Sequence, residues 1–336
     1  MFIAPDADGF RRLFIEHLRQ MLAQDQVGAF ILVLANSLQD ESLRQSLRAD
    51  LEATFKRMVQ RFRAGELNAT DDDRAVFSAL CEIGMDSLDV WCTRTAGVWE
   101  LNFNPLRALR PARASAEKVE SIEKAFNAGG FNFNRAFLRP EILWQGQWRD
   151  ASLRVLYNKF PFAPWHLIIV PDPEKEIPQY LNKAQHVRMW ELVDSVQDSL
   201  PGFAAGYNSI GACASVNQLH FQSFMRAEIL PVELPRWRHN GGKDSYPMVC
   251  TAAASVTESW NLLRQLHADN QPYNLLYRPG RCYVLQRRMQ GSDGIEPLVR
   301  GAGWIEECGV FNIAEPAQFD ALGADELTRC IESLSA

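Results

Sequence analysis

This chain of 336 residues has no Cys-x-x-Cys pair, no long apolar run, no excess of basic residues and no low-complexity tract. Each absence excludes something. Its seven cysteines stand singly at 81, 92, 213, 250, 282, 308 and 330, the pattern of reduced, packed thiols rather than of a disulfide scaffold or a zinc site. No apolar stretch approaches the roughly 20 residues of a membrane span. The 35 Lys and Arg against 41 Asp and Glu leave a net charge of −6. That argues against a binder of nucleic acid or anionic membrane, because phosphate backbones need basic surface. A small phosphorylated substrate needs only a local basic cluster. The start, Met1-Phe2-Ile3-Ala4-Pro5-Asp6, lacks the basic and apolar regions of a signal peptide, and a cytoplasmic location is expected.

What is present divides the chain at about residue 92. Residues 1–92 read as helical. Leu43, Leu47, Leu51, Phe55, Met58 and Phe62 recur at spacings of three and four, Gly65 is a stop, and Asp71-Asp72-Asp73 suits a helix N-terminus. From 93 the pattern changes. Residues 97–103, 152–158 and 166–170 read as strands, and a helix follows at about 180–199, ended by Pro201-Gly202. Pro231–Pro247 reads as a crossing loop. A helix at about 251–268, a strand at 273–278, a hairpin partner at 282–288, a strand at 303–313 and a helix at 324–334 complete the chain. The expected class is α+β: antiparallel sheets with flanking helices, in two similar halves at about 93–235 and 245–336, behind a helical N-terminal region.

One segment carries chemistry. Gly206-Tyr207-Asn208-Ser209-Ile210-Gly211-Ala212-Cys213-Ala214-Ser215-Val216-Asn217-Gln218-Leu219-His220-Phe221-Gln222 runs a small, glycine- and serine-bearing loop into an alternating strand. Alternation puts Gln218, His220 and Gln222 on one face. An imidazole between two amides, beside a phosphate-sized loop, suits attack on a phosphoryl group, since neutral histidine is a nucleophile. The bland alternative is a hydrogen-bonded structural histidine.

That segment resembles the histidine-triad superfamily, in the branch containing galactose-1-phosphate uridylyltransferase. The branch motif is His-x-His-x-Gln, its second His the covalent nucleophile. Within the branch, residues 207–222, Gly130-Phe131-Asn132-Phe133-Asn134 and Pro272-Tyr273-Asn274-Leu275-Leu276 are similar to GDP-hexose phosphorylases. Asn158-Lys159-Phe160-Pro161 is similar to diadenosine tetraphosphate phosphorylases (ATP adenylyltransferases). The resemblance implies a nucleotidyltransferase or phosphorylase working through a nucleotidyl-histidine. His220 is then the nucleophile, its Nδ1 oriented by the backbone carbonyl of Gln218, and Gln222 donates to a phosphate oxygen. Asn208, Ser209, Gly211 and Ser215 become the phosphate loop. Lys159 becomes the phosphate cation, with Asn158, His166 and Gln218 as further substrate contacts. Alternation allows only one of Arg287 and Arg288 to face a pocket; the pattern does not choose, and Arg288 is carried forward.

The motif's first His, which helps hold a structural zinc in the uridylyltransferases, is Gln218 here. Without Cys-x-x-Cys, no metal is expected beyond a magnesium ion travelling with substrate phosphates. The expected partners are a nucleotide substrate and inorganic phosphate, with a homodimer as the oligomer considered. A GDP-hexose substrate is favoured. The alternatives are a diadenosine tetraphosphate phosphorylase and a nucleotide-binding sensor with a weakened site.

Overall fold

A computed structural model describes residues 2–109 and 118–336. Four helices come first: α1 (Ala7–Leu22), α2 (Val27–Ser37), α3 (Glu41–Arg63) and α4 (Asp71–Ile83). Their starts follow capping chemistry. The side chains of Asp6, Asp40 and Thr70 accept from backbone N–H groups of the first turn, and α4 opens with three aspartates against the positive end of its dipole. Helix α2 is apolar on every side and is buried almost throughout, as a helix enclosed by others must be.

Strands β1 (Cys92–Ala96) and β2 (Trp99–Phe103) form a hairpin where the sequence pattern suggests one strand from 97. The difference is Gly97, whose positive φ of 61° makes it a turn residue. The four-residue helix α5 (Pro105–Ala108) follows. Next come β3 (Ile142–Trp148), β4 (Ala151–Tyr157), β5 (Leu167–Pro171), α6 (Lys183–Val196), β6 (Phe203–Asn208) and β7 (Phe221–Met225). Strand β8 (Val249–Ala253) occupies the start of the segment expected to be helical from 251; α7 (Val256–Ala268) begins only after the Ser255 cap. Strands β9 (Tyr273–Arg278) and β10 (Arg281–Gln286) form the expected hairpin. The strand expected over 303–313 is instead a helical turn, α8 (Trp304–Glu307), then β11 (Val310–Ile313) after Gly309 with φ 92°. Helices α9 (Pro316–Ala321) and α10 (Ala324–Leu334) close the chain.

Eight strands form one antiparallel sheet in the order β3-β4-β5-β7-β6-β9-β10-β8. Within it, β5-α6-β6-β7 and β8-α7-β9-β10 are two β-α-β-β units. Read from outside in, their strand orders are β5, β7, β6 and β8, β10, β9, and they meet at the antiparallel β6–β9 pair. The mixed α+β class with flanking helices is as expected.

Register defines the two faces. Leu153, Val155, Tyr157, Ile169, Ala205, Phe221, Leu275 and Tyr277 belong to one apolar core with helices α1 to α4, α6 and α7. The other face carries, in one row across four strands, Arg154, Val170 and Asn208 paired with Asn274, with His220 just before β7. The next row carries Leu156, Ile168, Gln222, Gly206 and Leu276. Among the described residues no helix is long and apolar enough to cross a membrane, and all seven cysteines are free.

Candidate active site

His220 sits at the C-terminal end of the loop joining β6 to β7, 5% exposed. Its Nδ1 lies 2.7 Å from the backbone carbonyl of Gln218, the contact expected from the sequence. A carbonyl can only accept, so Nδ1 carries the proton and Nε2 keeps its lone pair. Burial lowers the imidazole pKa to about 4, the carbonyl opposing weakly, so the ring is neutral throughout the physiological range. Phe133 packs on the ring at 5.0 Å between centroids.

Both ends of the loop are tied by one residue outside the motif. The buried Gln179 side chain donates from Nε2 to the carbonyls of Asn208 (2.8 Å) and His220 (3.2 Å), and its Oε1 accepts from the His220 N–H at 2.8 Å. Within the loop, Ser209 Oγ accepts from the Tyr273 N–H at 3.0 Å. Asn208 Oδ1 accepts from the Trp304 N–H at 2.8 Å and from the Asn274 amide. Gly211 has φ 78° and lies so close to Met289 that a Cβ would collide with its sulfur. Asn208, Ser209 and Gly211 therefore shape the loop. Ser215 is exposed on it and makes no hydrogen bond among the described residues.

Gln222 is oriented by a residue that sequence reasoning missed. Its Oε1 accepts from the Trp304 indole N–H at 2.7 Å. An indole N–H only donates, so the amide oxygen must face it and the amide NH2 is presented elsewhere, as a donor. Trp304 can reach because it lies over Gly206, where any Cβ would strike the indole. Gly206 serves packing.

Several expected contacts are otherwise engaged. Gln218 is 1% exposed and both ends of its amide are used: Oε1 accepts from the Phe133 N–H (2.7 Å), and Nε2 donates to the Pro173 carbonyl (3.2 Å). It ties the Phe133 loop to the motif rather than facing substrate. Lys159 forms an ion pair with Asp73 of α4 at 2.5 Å, turned toward the helical layer. Asn158 Oδ1 accepts from the Phe160 N–H, and its carbonyl accepts from Asn36 of α2. His166 is fully buried, its Nδ1 accepts from the Phe162 N–H, and burial, then nearby Arg107, lowers its pKa to about 3. These three hold the turn that docks the N-terminal helices, so the helical layer takes the polar groups expected at phosphate.

The arginine pair also differs. Arg287, expected to face either a pocket or solvent, is fully buried and bonded to the equally buried Glu307 at 2.9 Å. Burial raises the Glu307 carboxyl, with Arg287 opposing. Arg288 donates to the carbonyls of Asp293 and Ser333. On the His220 face, a cavity of about 300 Å³ is lined by Phe133, Arg135, Arg139, Gln145, Arg154 and Glu174, among others. Phe133 thus separates it from the imidazole. Among the described residues no group of three or more His, Cys, Asp or Glu could hold a metal.

Residues 99–224 match the family model described as GDPGP1-like, N-terminal domain. The chain is 34% identical to human GDP-D-glucose phosphorylase 1 over 131 residues, which is 36% of this chain and 33% of that protein. It is 30% identical to GDP-L-galactose phosphorylase 2 of Arabidopsis thaliana over 199 residues, 49% of this chain and 46% of that one. The matches thus span a third to a half of those relatives' length. Yeast Ap4A phosphorylase Apa2, solved with AMP, superposes with a TM-score of 0.51 at 12% identity, covering 80% of this chain and 98% of that one. Residues 99–224 are thus similar to a GDPGP1-like N-terminal domain, and the chain shares the fold of yeast Ap4A phosphorylase.

Proposed function

We propose that this protein is a GDP-hexose phosphorylase acting by double displacement at His220. The observation that carries the reading is the Nδ1 contact with the Gln218 carbonyl, which commits one ring nitrogen as donor and leaves Nε2 nucleophilic. In the first step the Nε2 lone pair attacks the α-phosphorus of the GDP-hexose. The bond from that phosphorus to the bridging oxygen breaks, and hexose-1-phosphate leaves with the electron pair. In the second step an oxygen of inorganic phosphate attacks the same phosphorus, the N–P bond breaks, and GDP departs. The Gln218 carbonyl supports the positive charge that the ring acquires on phosphorylation. The amide NH2 of Gln222, held in one orientation by Trp304, donates to the α-phosphate oxygens as charge shifts onto them. Ser215 is the loop residue available to a further oxygen. No zinc takes part; magnesium would accompany the substrate phosphates.

The names of the relatives support GDP-hexose over a diadenosine polyphosphate. The intact orientation of His220 supports an enzyme over a weakened sensor. The test is to incubate the protein with GDP-glucose labelled in its α-phosphate, quench, and count label on protein, then add phosphate and measure GDP. Label that appears on wild type, is lost in His220→Asn and is released as GDP supports the reading. Wild-type protein that acquires no label from any GDP-hexose refutes it.

A further inference from the structure

With Lys159 engaged by Asp73, the face that carries His220 needs another cation for the phosphate beyond the α-position. Arg107 is the residue so placed. It lies in α5, which is stapled to the Phe160–Phe162 turn: Asn104 Nδ2 donates to the Pro161 carbonyl at 3.1 Å, and Arg107 Nη1 donates to the Phe160 carbonyl at 2.9 Å. The guanidinium carbon then sits 5.2 Å from the centre of the Phe162 ring. Phe162 in turn lies 4.2 Å from His166 and 6.0 Å from Trp304, the residue that holds Gln222. Arg107, Phe162 and Trp304 thus form a wall at the Gln222 end of the site, and Phe133 closes the His220 end.

The charge of Arg107 has one carboxylate nearby, Glu306. Among the described residues it makes no ion pair. Glu306, the nearby carboxylate, is already bonded by the Gly303 N–H at 3.0 Å and by Asn312 Nδ2 at 2.8 Å. Arg107 is half-buried, with one guanidinium nitrogen spent on a neutral carbonyl, leaving donors of its planar fork for an anion. A partly desolvated cation with no ion pair among the described residues, stacked on an aromatic ring, is well suited to receive a phosphate.

We propose that Arg107 binds the non-transferred phosphate: the phosphate of departing hexose-1-phosphate in the first step and inorganic phosphate in the second. This rests on the double-displacement reading above. A nucleotide with its α-phosphorus at His220 Nε2 runs along β7 past Gln222, and its next phosphate reaches the Arg107–Phe162 wall. The leaving and entering phosphates use the same place because both steps occur at one phosphorus.

The test uses the full chain as wild type, Arg107→Ala and Arg107→Lys. Inorganic pyrophosphate binding is measured by calorimetry, and steady-state phosphorolysis of GDP-glucose is followed over a range of phosphate concentrations. Arg107→Ala is expected to weaken pyrophosphate at least tenfold and raise the KM for phosphate by a similar factor. It should raise the KM for GDP-glucose as well, because the phosphate that leaves with the hexose is part of that substrate, with Arg107→Lys recovering most of both losses. A merely structural role would lower kcat or melting temperature without weakening pyrophosphate or raising either KM. Equal pyrophosphate affinity in wild type and Arg107→Ala, or no pyrophosphate binding to wild type, would overturn the assignment. Pyrophosphate binding that depends on Arg107, with no label transferred to His220, would keep the anion site and refute the double displacement.

Discussion

The two β-α-β-β units of the large sheet share an order of elements and a spatial order of strands, yet differ at one connection. Between β6 and β7 the chain spends residues 209–220 on a loop that ends in His220. Between the corresponding β9 and β10 it turns at once through Pro279 and Gly280, with Gly280 at φ 68°. The architecture is therefore neutral about chemistry. What distinguishes the first unit is a loop long enough to bring His220 and its carbonyl partner to the start of β7, in the middle of the sheet. The second unit contributes differently: Asn274 and Tyr273 support the first unit's loop, and Trp304, from α8 beyond that unit, holds Gln222. The first unit carries His220 and Gln222, and Gln179 of that unit, Asn274 and Tyr273 of the second, and Trp304 of α8 hold them and their loop.

The comparison breaks most decisively at His220. His220→Asn is expected to lose at least about three orders of magnitude in kcat/KM with folding intact, because covalent catalysis has no substitute nucleophile. Activity within tenfold of wild type, with an unchanged circular dichroism spectrum, would move the chemistry elsewhere.

The pH profile sharpens the same point. Protonation removes the Nε2 lone pair, and the folded-state pKa is about 4, so kcat/KM should be level from neutrality to about pH 5. Below about 4 it should fall roughly tenfold per pH unit. Stability limits the window. Burial lowers all six histidines, so the unfolded chain binds their protons more tightly. Their contribution is complete above the ordinary imidazole value and is lost as pH falls toward their lowered ones. For a fully buried group such as His186 the loss is about 1.4 kcal/mol per pH unit across that interval. Rates should accordingly be read by pH jump from neutral protein. An acid limb near pH 6.5 on such a jump would mean that the ring is not shielded as described.

The orienting role of α8 is tested by Trp304→Phe. It keeps the ring over Gly206 and deletes the indole N–H, freeing the Gln222 amide to flip. An unpaired amide costs about 1–3 kcal/mol, so kcat should fall roughly five- to a hundredfold with little change in melting temperature. An unchanged kcat would show that Gln222 needs no such partner.

Gln218 gives a smaller effect of another kind. The sequence alone suggests that Gln218→His is harmless, since any residue supplies the backbone carbonyl. The side chain, however, bridges the Phe133 N–H and the Pro173 carbonyl. Gln218→His should cost about 1–3 kcal/mol of stability, measured by denaturant unfolding, while His220 can still be labelled. Wild-type stability in that variant would return Gln218 to a backbone-only role. Least of all, Gly280→Ala should cost about 1 kcal/mol through its positive φ and leave both KM values unchanged. A kinetic effect there would mean that the tight turn is not the silent counterpart of the His220 loop.

What was legible in the sequence was local. Alternation along 218–222 predicts the shared face of His220 and Gln222, and the Gln218 carbonyl lies two residues from the ring it orients. The helical stripe of 43–62, the α10 segment and the β9–β10 hairpin are likewise short-range patterns. The misread segments 97–103, 251–268 and 303–313 each contain a junction between elements that one period was made to cover.

The sequence by itself thus determined the class of fold, the motif strand and the carbonyl that orients His220, because each rests on local pattern or on contacts between near neighbours. Tertiary structure alone decided which polar groups remain available to substrate. Docking of α2 and α4 consumed Lys159 and Asn158, burial beside Glu307 consumed Arg287, and Phe133 took the Gln218 amide from 85 positions away. In the other direction it supplied Gln179, 41 residues before His220, and Trp304, 82 after Gln222. A buried polar group must find a partner wherever the chain brings one, and no periodicity in the sequence records that choice.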